Sequence, residues 1–375
     1  MSGQDTELRL TAALQGINPV PIDRTHGGAA PDDIIDFSAS INPLGPPQAA
    51  LDEYHTTVGA ISSYPPVYSE RLAARIAEWL GIASDEVIVG NGSTQLIHLF
   101  ARVYRLTVPY VAIPTFSEFA NAIALNDCTP YALELRREHA FTIQLTQVES
   151  ALKRQAQALF IGRPNSPTGS MFPLGVAARI VEQCERFRSF CMFDEAFIDF
   201  TGRKESAITL MRGPERRLTG LLIIGSLTKI FSIPGLRVGF LAGPATVIRE
   251  LRRYIEPWSL NVVAERVAMA CLKHADEFTH RTQTWLLEER SHLSEQLSAI
   301  RGVIVYPSAA NFLMLEVKES AQAASFREFM LSRGIAVRDL RTMPGCSGGL
   351  YRVAVRLRHD NDRLITAATA YACEM

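Results

Sequence analysis

The 375 residues include 38 basic and 39 acidic side chains, a formal net charge of −1, and that balance argues against nucleic acid or an anionic membrane as partner. Hydrophobic residues make up 47% and charged residues 21%, the mixture of a soluble globular enzyme. The length is large for one core, so two domains, or one domain with a satellite, are expected.

Residues 1–20 carry Leu8, Leu10, Ala13 and Leu14 at near-helical spacing, which predicts a short amphipathic helix. The acidic residues there, and the lack of a long apolar core, do not read as a signal peptide. No apolar run approaches the roughly 20 residues of a membrane helix, so the chain is expected to be cytoplasmic. The six cysteines, Cys128, Cys184, Cys191, Cys271, Cys346 and Cys373, form no CxxC pair. They read as scattered reduced thiols, with no zinc or other metal site.

A short strand opens residues 34–47, and Glu70 to Leu80 reads as a helix. An alternation follows: strand 86–90, helix 93–104, strand 110–114, a helix from Ser117, strand 158–164, helix 174–186, and strands 189–197, 218–227 and 239–243. Short apolar runs separated by helices predict an α/β fold, a mostly parallel sheet covered on both faces. Residues 262–300 predict one or two long helices, and 301–375 an α+β satellite.

Chemistry-bearing residues gather at the C-terminal ends of the strands, where open parallel sheets bind ligands. VGNGSTQLI (89–97) places Gly92, Ser93 and Thr94 where a strand turns into a helix, either an anion site or an ordinary capped turn. PTFSEF (114–119) offers Phe116 for stacking on a planar ligand, or as core. FIGRPNSPTG (160–169) carries Asn165 and Ser166 in a turn. MFDEAFIDF (192–200) ends a buried strand on Asp194 and Glu195. A carboxylate there needs a positive partner, either a protonated ring nitrogen or a basic side chain. GSLTKIFSIPGLRVGF (225–240) holds Ser226, Lys229 and Arg237 in an otherwise small and apolar run. A lysine in apolar surroundings has a lowered pKa and suits Schiff-base chemistry, and an arginine beside it can grip a phosphate.

In this order, these motifs resemble the pyridoxal-phosphate enzymes of the aspartate-aminotransferase fold, nearly end to end. HGG (26–28), DFSASINPLGPP (36–47), SYPP (63–66), DEAFIDF (194–200), SLTKIFSIPGLRVGF (226–240), PWSLN (257–261), ANFLML (310–315) and YRVAVR (351–356) are most similar to the threonine-phosphate decarboxylases of cobalamin biosynthesis. Histidinol-phosphate aminotransferases share most of the cofactor motifs. The resemblance implies a large domain over 49–271 with a seven-stranded sheet, and a smaller α+β domain from 1–48 and 272–375.

By the same resemblance, Lys229 bonds pyridoxal 5'-phosphate and then carries protons, Asp194 pairs with the pyridine nitrogen, and Phe116 stacks on the ring. Gly92, Ser93, Thr94, Ser226 and Arg237 cradle the phosphate, with Tyr64 reaching it from a second subunit of a homodimer. His26, Asn42, Arg338 and Arg352 match positions that handle the anionic groups of a phosphorylated amino acid. Two departures stand out. Ser166 occupies the usual asparagine position, leaving Asn165 one residue early, and Phe197 replaces a frequent tyrosine. Both positions ordinarily serve the ring hydroxyl.

Three functions are weighed. The first is decarboxylation of threonine O-3-phosphate, or of its serine analogue. The second is transamination of a phosphorylated substrate such as histidinol phosphate. The third is a cofactor-binding regulator, disfavoured because the 25 or so residues before His26 leave little room for a DNA-binding extension.

Overall fold

The computed structural model describes residues 18–28, 30–31, 33–212, 218–319 and 325–374. Most of the helix predicted for residues 1–20 lies outside the described residues. Residues 18–20 are not helical, and Pro19 forms a bridge to Tyr131.

Strand β1 (Ile35–Asp36) precedes seven strands that form one sheet. These are β2 (Val87–Asn91), β3 (Pro109–Ile113), β4 (Tyr131–Glu134), β5 (Ala158–Gly162), β6 (Phe190–Asp194), β7 (Leu221–Ser226) and β8 (Val238–Ala242), in the order β2-β8-β7-β6-β5-β3-β4. Only the two pairings of β8, with β2 and with β7, are antiparallel. The sheet is therefore mostly parallel, as the alternating pattern predicts.

Side chains alternate between two cores. Leu159, Ile161, Phe193, Leu221 and Ile223 enter one, and Ala158, Phe160, Met192, Leu222 and Ile224 the other. Strands buried on both faces explain why the sequence shows continuous apolar runs here. The helix Glu70–Leu80 packs Leu72, Ile76 and Leu80 into the first core along one stripe. It stops at Gly81, whose φ of +68° suits the left-handed cap that glycine adopts without a Cβ penalty.

The C-terminal part has its own sheet. β9 (Val303–Val305), β10 (Phe312–Val317), β12 (Arg338–Asp339) and β13 (Leu350–Ala354) pair antiparallel in the order β12-β13-β10-β9. β11 (Ile335–Ala336) instead pairs with β1 in parallel, tying residues 35–36 to the C-terminal part. Two helices, Val262–Lys273 and Ala275–Ser298, lead into it. The strand Tyr131–Glu134 and the helices Gln48–Thr57, Leu145–Lys153 and Ala245–Arg252 add to the elements expected from sequence. No helix among the described residues is long and apolar enough to cross a membrane.

Candidate active site

A cleft of about 610 Å³ opens at the C-terminal ends of β5, β6 and β7, between the large sheet and the C-terminal part. His26, Gly92, Ser93, Thr94, Phe116, Ser166, Asp194, Ser226, Lys229, Arg237, Arg338 and Arg352 all line it.

Lys229 sits in a single helical turn, Leu227–Ile230, that directly follows β7. Burial, reinforced by Arg237 and Arg352, pushes its amine down to about 8, and Asp194 opposes them. The neutral amine is thus a minority near physiological pH but far more abundant than for an ordinary lysine, which favours a nucleophilic role. Asp194 is the last residue of β6, and its Oδ1 accepts the Ala196 N–H at 2.9 Å. Burial raises its carboxyl to about 6 against the pull of that hydrogen bond and of Lys229.

The motif by itself offers two adjacent carboxylates, of which the family resemblance picks Asp194, and the fold separates the two. Glu195 turns away from the cleft to Arg163, at 3.0 Å, with both side chains almost fully buried. Ser206 Oγ and the Ala207 N–H complete its shell. Of these two, Asp194 is the one that lines the cleft.

The candidate phosphate cradle is built on close backbone approach. Gly92 begins the helix Gly92–Tyr104 at φ +76°, and a Cβ there would lie 2.7 Å from Arg237 Nη2. The Gly92 N–H donates to the Arg237 carbonyl at 2.9 Å. That contact helps hold Arg237 at φ +54°, a left-handed conformation that costs a non-glycine residue free energy. A Cβ on Gly239 would lie 2.3 Å from the Ser93 nitrogen. The result is a helix N-terminus, a guanidinium and the Ser226 and Thr228 hydroxyls (2.7 Å apart) around one point, an arrangement suited to a phosphate. With Lys229 and Asp194 in the same cleft, the residues fit pyridoxal 5'-phosphate.

Farther out, Arg352 donates to Ser166 Oγ at 2.9 Å and to the Ser38 carbonyl at 2.7 Å, while its buried Nε has no protein partner. Burial, and then Arg338, lowers its guanidinium to about 10. Arg338 donates to the Thr25 carbonyl at 2.6 Å and the Thr25 hydroxyl at 3.0 Å.

Two residues expected in this cleft, Asn165 and Asn42, do not line it, and Tyr64, expected to serve a second subunit, does not line it either. Asn165 is buried in the turn itself, donating to the Pro114 carbonyl at 2.8 Å and accepting from the Thr115 hydroxyl at 2.7 Å. Asn42 is buried too, donating to the Ile230 carbonyl at 2.8 Å and to Thr282 at 3.0 Å. It braces the turn that carries Lys229. Tyr64 is 82% exposed and stacks against Trp258, ring centres 4.9 Å apart.

The structure adds residues that the sequence did not single out. Thr25, Asp36, Ser38 and Glu118 line the cleft. Glu118 contacts His98 Nε2 at 3.0 Å and Asn121 Nδ2 at 2.8 Å. The His98 hydrogen bond, helped by Asn121 and by the charges of His98 and His26, holds its carboxyl below the usual range despite burial. Its place inside PTFSEF was the available signal, but two of its partners, His98 and His26, come from other segments.

The profile of the class I and II aminotransferases matches residues 32–369. The chain belongs to that family. It is a pyridoxal 5'-phosphate enzyme. Among class I and II relatives, a protein of Caldanaerobacter subterraneus, provisionally named a threonine-phosphate decarboxylase, is 33% identical over 88% of each chain. The threonine-phosphate decarboxylase of Salmonella typhimurium is 29% identical over 91% of this chain and 92% of its own. A histidinol-phosphate aminotransferase of Roseiflexus castenholzii is 31% identical over 94% and 95%. The solved L-threonine-O-3-phosphate decarboxylase of Porphyromonas gingivalis shares the fold with a TM-score of 0.78, at 20% identity over 91% of this chain and 100% of that one.

Proposed function

We propose that this class I and II family member decarboxylates threonine O-3-phosphate, or its serine analogue, to the aminoalkyl phosphate and carbon dioxide. We place that reaction in cobalamin synthesis in the cytoplasm. The observation that carries the reading is the pair Arg338 and Arg352 in the cleft, beyond the cradle. Two guanidiniums suit a substrate with two anionic groups, a carboxylate and a phosphate. Histidinol phosphate brings a phosphate but no carboxylate. The names of the relatives support the same reading.

Bound pyridoxal 5'-phosphate supplies an acceptor for the electrons left at the substrate's α-carbon. The protein supplies the rest. Asp194, as carboxylate, keeps the ring nitrogen protonated. Ser93, Thr94, Ser226 and Arg237 would hold the phosphate, and Phe116 lines the same cleft as an aromatic surface for the ring. Arg352 and Arg338 fix the substrate's anions, which decides the bond at the α-carbon that stands ready to break. Lys229 Nζ would carry the proton that replaces the departing carboxylate on that carbon.

A homodimer with shared sites fits the surface. Tyr54, Val58, Ile61, Tyr64 and Tyr68 are exposed large apolar side chains close together in sequence, and Tyr64 packs on the exposed Trp258; exposed apolar surface of this kind suits an interface. Tyr64 is the residue that would reach a partner's site in such a dimer.

The deciding experiment gives purified holoenzyme threonine phosphate with no 2-oxo acid. Sustained carbon dioxide release over many turnovers is expected. Turnover that requires a 2-oxo acid acceptor and releases no carbon dioxide would make the enzyme an aminotransferase, the second reading, which the Roseiflexus relative favours.

A further inference from the structure

A cleft that takes anions carries a carboxylate on its wall. Glu118 lies in the same cavity as Lys229, Arg237, Arg338 and Arg352, where an unpaired negative charge would repel a phosphorylated ligand. Its surroundings show where that charge is used. Oε2 lies 3.0 Å from His98 Nε2, and Oε1 accepts from Asn121 Nδ2 at 2.8 Å. Oε1 is also 3.6 Å from His26 Nε2, an ion-pair distance longer than a hydrogen bond.

His26 belongs to an irregular segment, and its side chain is 53% exposed, against 15% for Glu118. A ring so placed has much rotamer freedom to lose unless something holds it. The same helix, Glu118–Ala124, that presents Glu118 also grips the segment's backbone, because Asn121 Nδ2 donates to the Asp23 carbonyl at 2.9 Å. From the opposite wall, Arg338 holds the Thr25 carbonyl at 2.6 Å. Residues 23–26 are thus fastened from both sides, and the His26 ring comes to rest 6.5 Å from Phe116, centre to centre.

We propose that Glu118 is a positioning residue. Its carboxylate, fixed by His98 and Asn121, holds the His26 imidazole at the mouth of the cleft, so that the ring and not the carboxylate meets the substrate's anionic end. The inference rests on the phosphorylated-substrate reading above. A merely structural Glu118 would cap its helix and brace His98 without affecting how substrate binds.

The test is a double-mutant cycle on the holoenzyme with E118Q, H26A and the pair. Each protein is titrated with threonine phosphate and with histidinol phosphate, following cofactor absorption, and kcat and KM are measured separately. Each single variant should raise KM for the accepted substrate about tenfold, with kcat and the cofactor spectrum nearly unchanged. The double variant should be no worse than H26A, and E118D should recover part of the loss. If E118Q does not fold, H98N, which removes one support of the carboxylate, takes its place with the same expected shift. An unchanged KM in E118Q, losses that multiply in the pair, or a fall in kcat and cofactor occupancy at constant KM would each overturn the proposal. A wild-type enzyme that accepts only histidinol phosphate overturns the decarboxylase reading while leaving the cycle measurable. One that responds to neither compound overturns both.

Discussion

Arg338 and Arg352 stand directly opposite each other across the antiparallel pair β12–β13. Like charges in that position destabilise a sheet, and the second of them is buried with an unpartnered Nε. Their juxtaposition makes sense as a site that an anion completes. Replacing Arg338 with Gln is expected to leave the melting temperature of substrate-free holoenzyme equal or higher. It should raise KM for threonine phosphate about 10- to 100-fold. A lower melting temperature with unchanged KM would reduce Arg338 to a brace for Thr25.

Lys229 predicts a pH dependence for the cofactor-free protein. Its amine titrates near 8 in the fold, against 10.5 ordinarily. Between those values the unfolded chain holds a proton that the folded chain has released, so stability rises with pH across that window. Below about 8 both states are protonated and the burial cost is complete. Lys229→Met should therefore raise the melting temperature at pH 7, with the gain shrinking above about pH 8. Asp194 acts in a separate window, 3.8 to about 6, where the folded state holds the extra proton and stability falls as pH rises. A gain independent of pH would show that the amine is not the cause.

Gly92→Ala tests the cradle. The new Cβ meets Arg237 Nη2 at 2.7 Å on a backbone at φ +76°. Either Arg237 moves or the turn does. Affinity for pyridoxal 5'-phosphate, measured by quenching of protein fluorescence, should drop at least about tenfold, the effect of one lost charge-assisted contact. Unchanged affinity would place the phosphate elsewhere.

The Arg163–Glu195 pair should behave as a buried ion pair. Glu195→Gln alone leaves Arg163 charged with no counterion, at a cost of about 3–5 kcal/mol in denaturant unfolding. Combining Arg163→Met with Glu195→Leu removes both charges together and should recover much of that loss. A mild effect of the single change would mean that water reaches Arg163.

Much of this fold is legible in the sequence because its core strands are buried on both faces, which writes them as apolar runs. β4 was not, since Tyr131 and Ala132 are only half-buried and Glu134 is exposed at the sheet edge. At the site, residue type and strand-end position pointed to Lys229, Asp194 and Arg237. Which of two adjacent residues faces the cleft is another matter. Asn165 and Ser166 are neighbours in one turn, yet only Ser166 reaches the cavity, and the side-chain direction depends on contacts with Pro114 and Thr115 that no local pattern records. Glu118 escaped for the same reason: its partners His26 and His98 are distant along the chain and meet only in the fold.

The reversal of β8 sets a ruler inside the molecule. Because β8 runs against β7, the chain leaves the sheet at Ser226 and re-enters it at Val238 on the same edge. β2 pairs with β8 so that Asn91 lies opposite Val238, which brings Gly92 beside Arg237. The segment 227–237 is thus a closed span with Lys229 near one foot and Arg237 at the other. Under the proposed function, its length gauges the distance between a covalent anchor and an ionic one. One residue gained or lost between them would mis-set that gauge even with every side chain of the site retained.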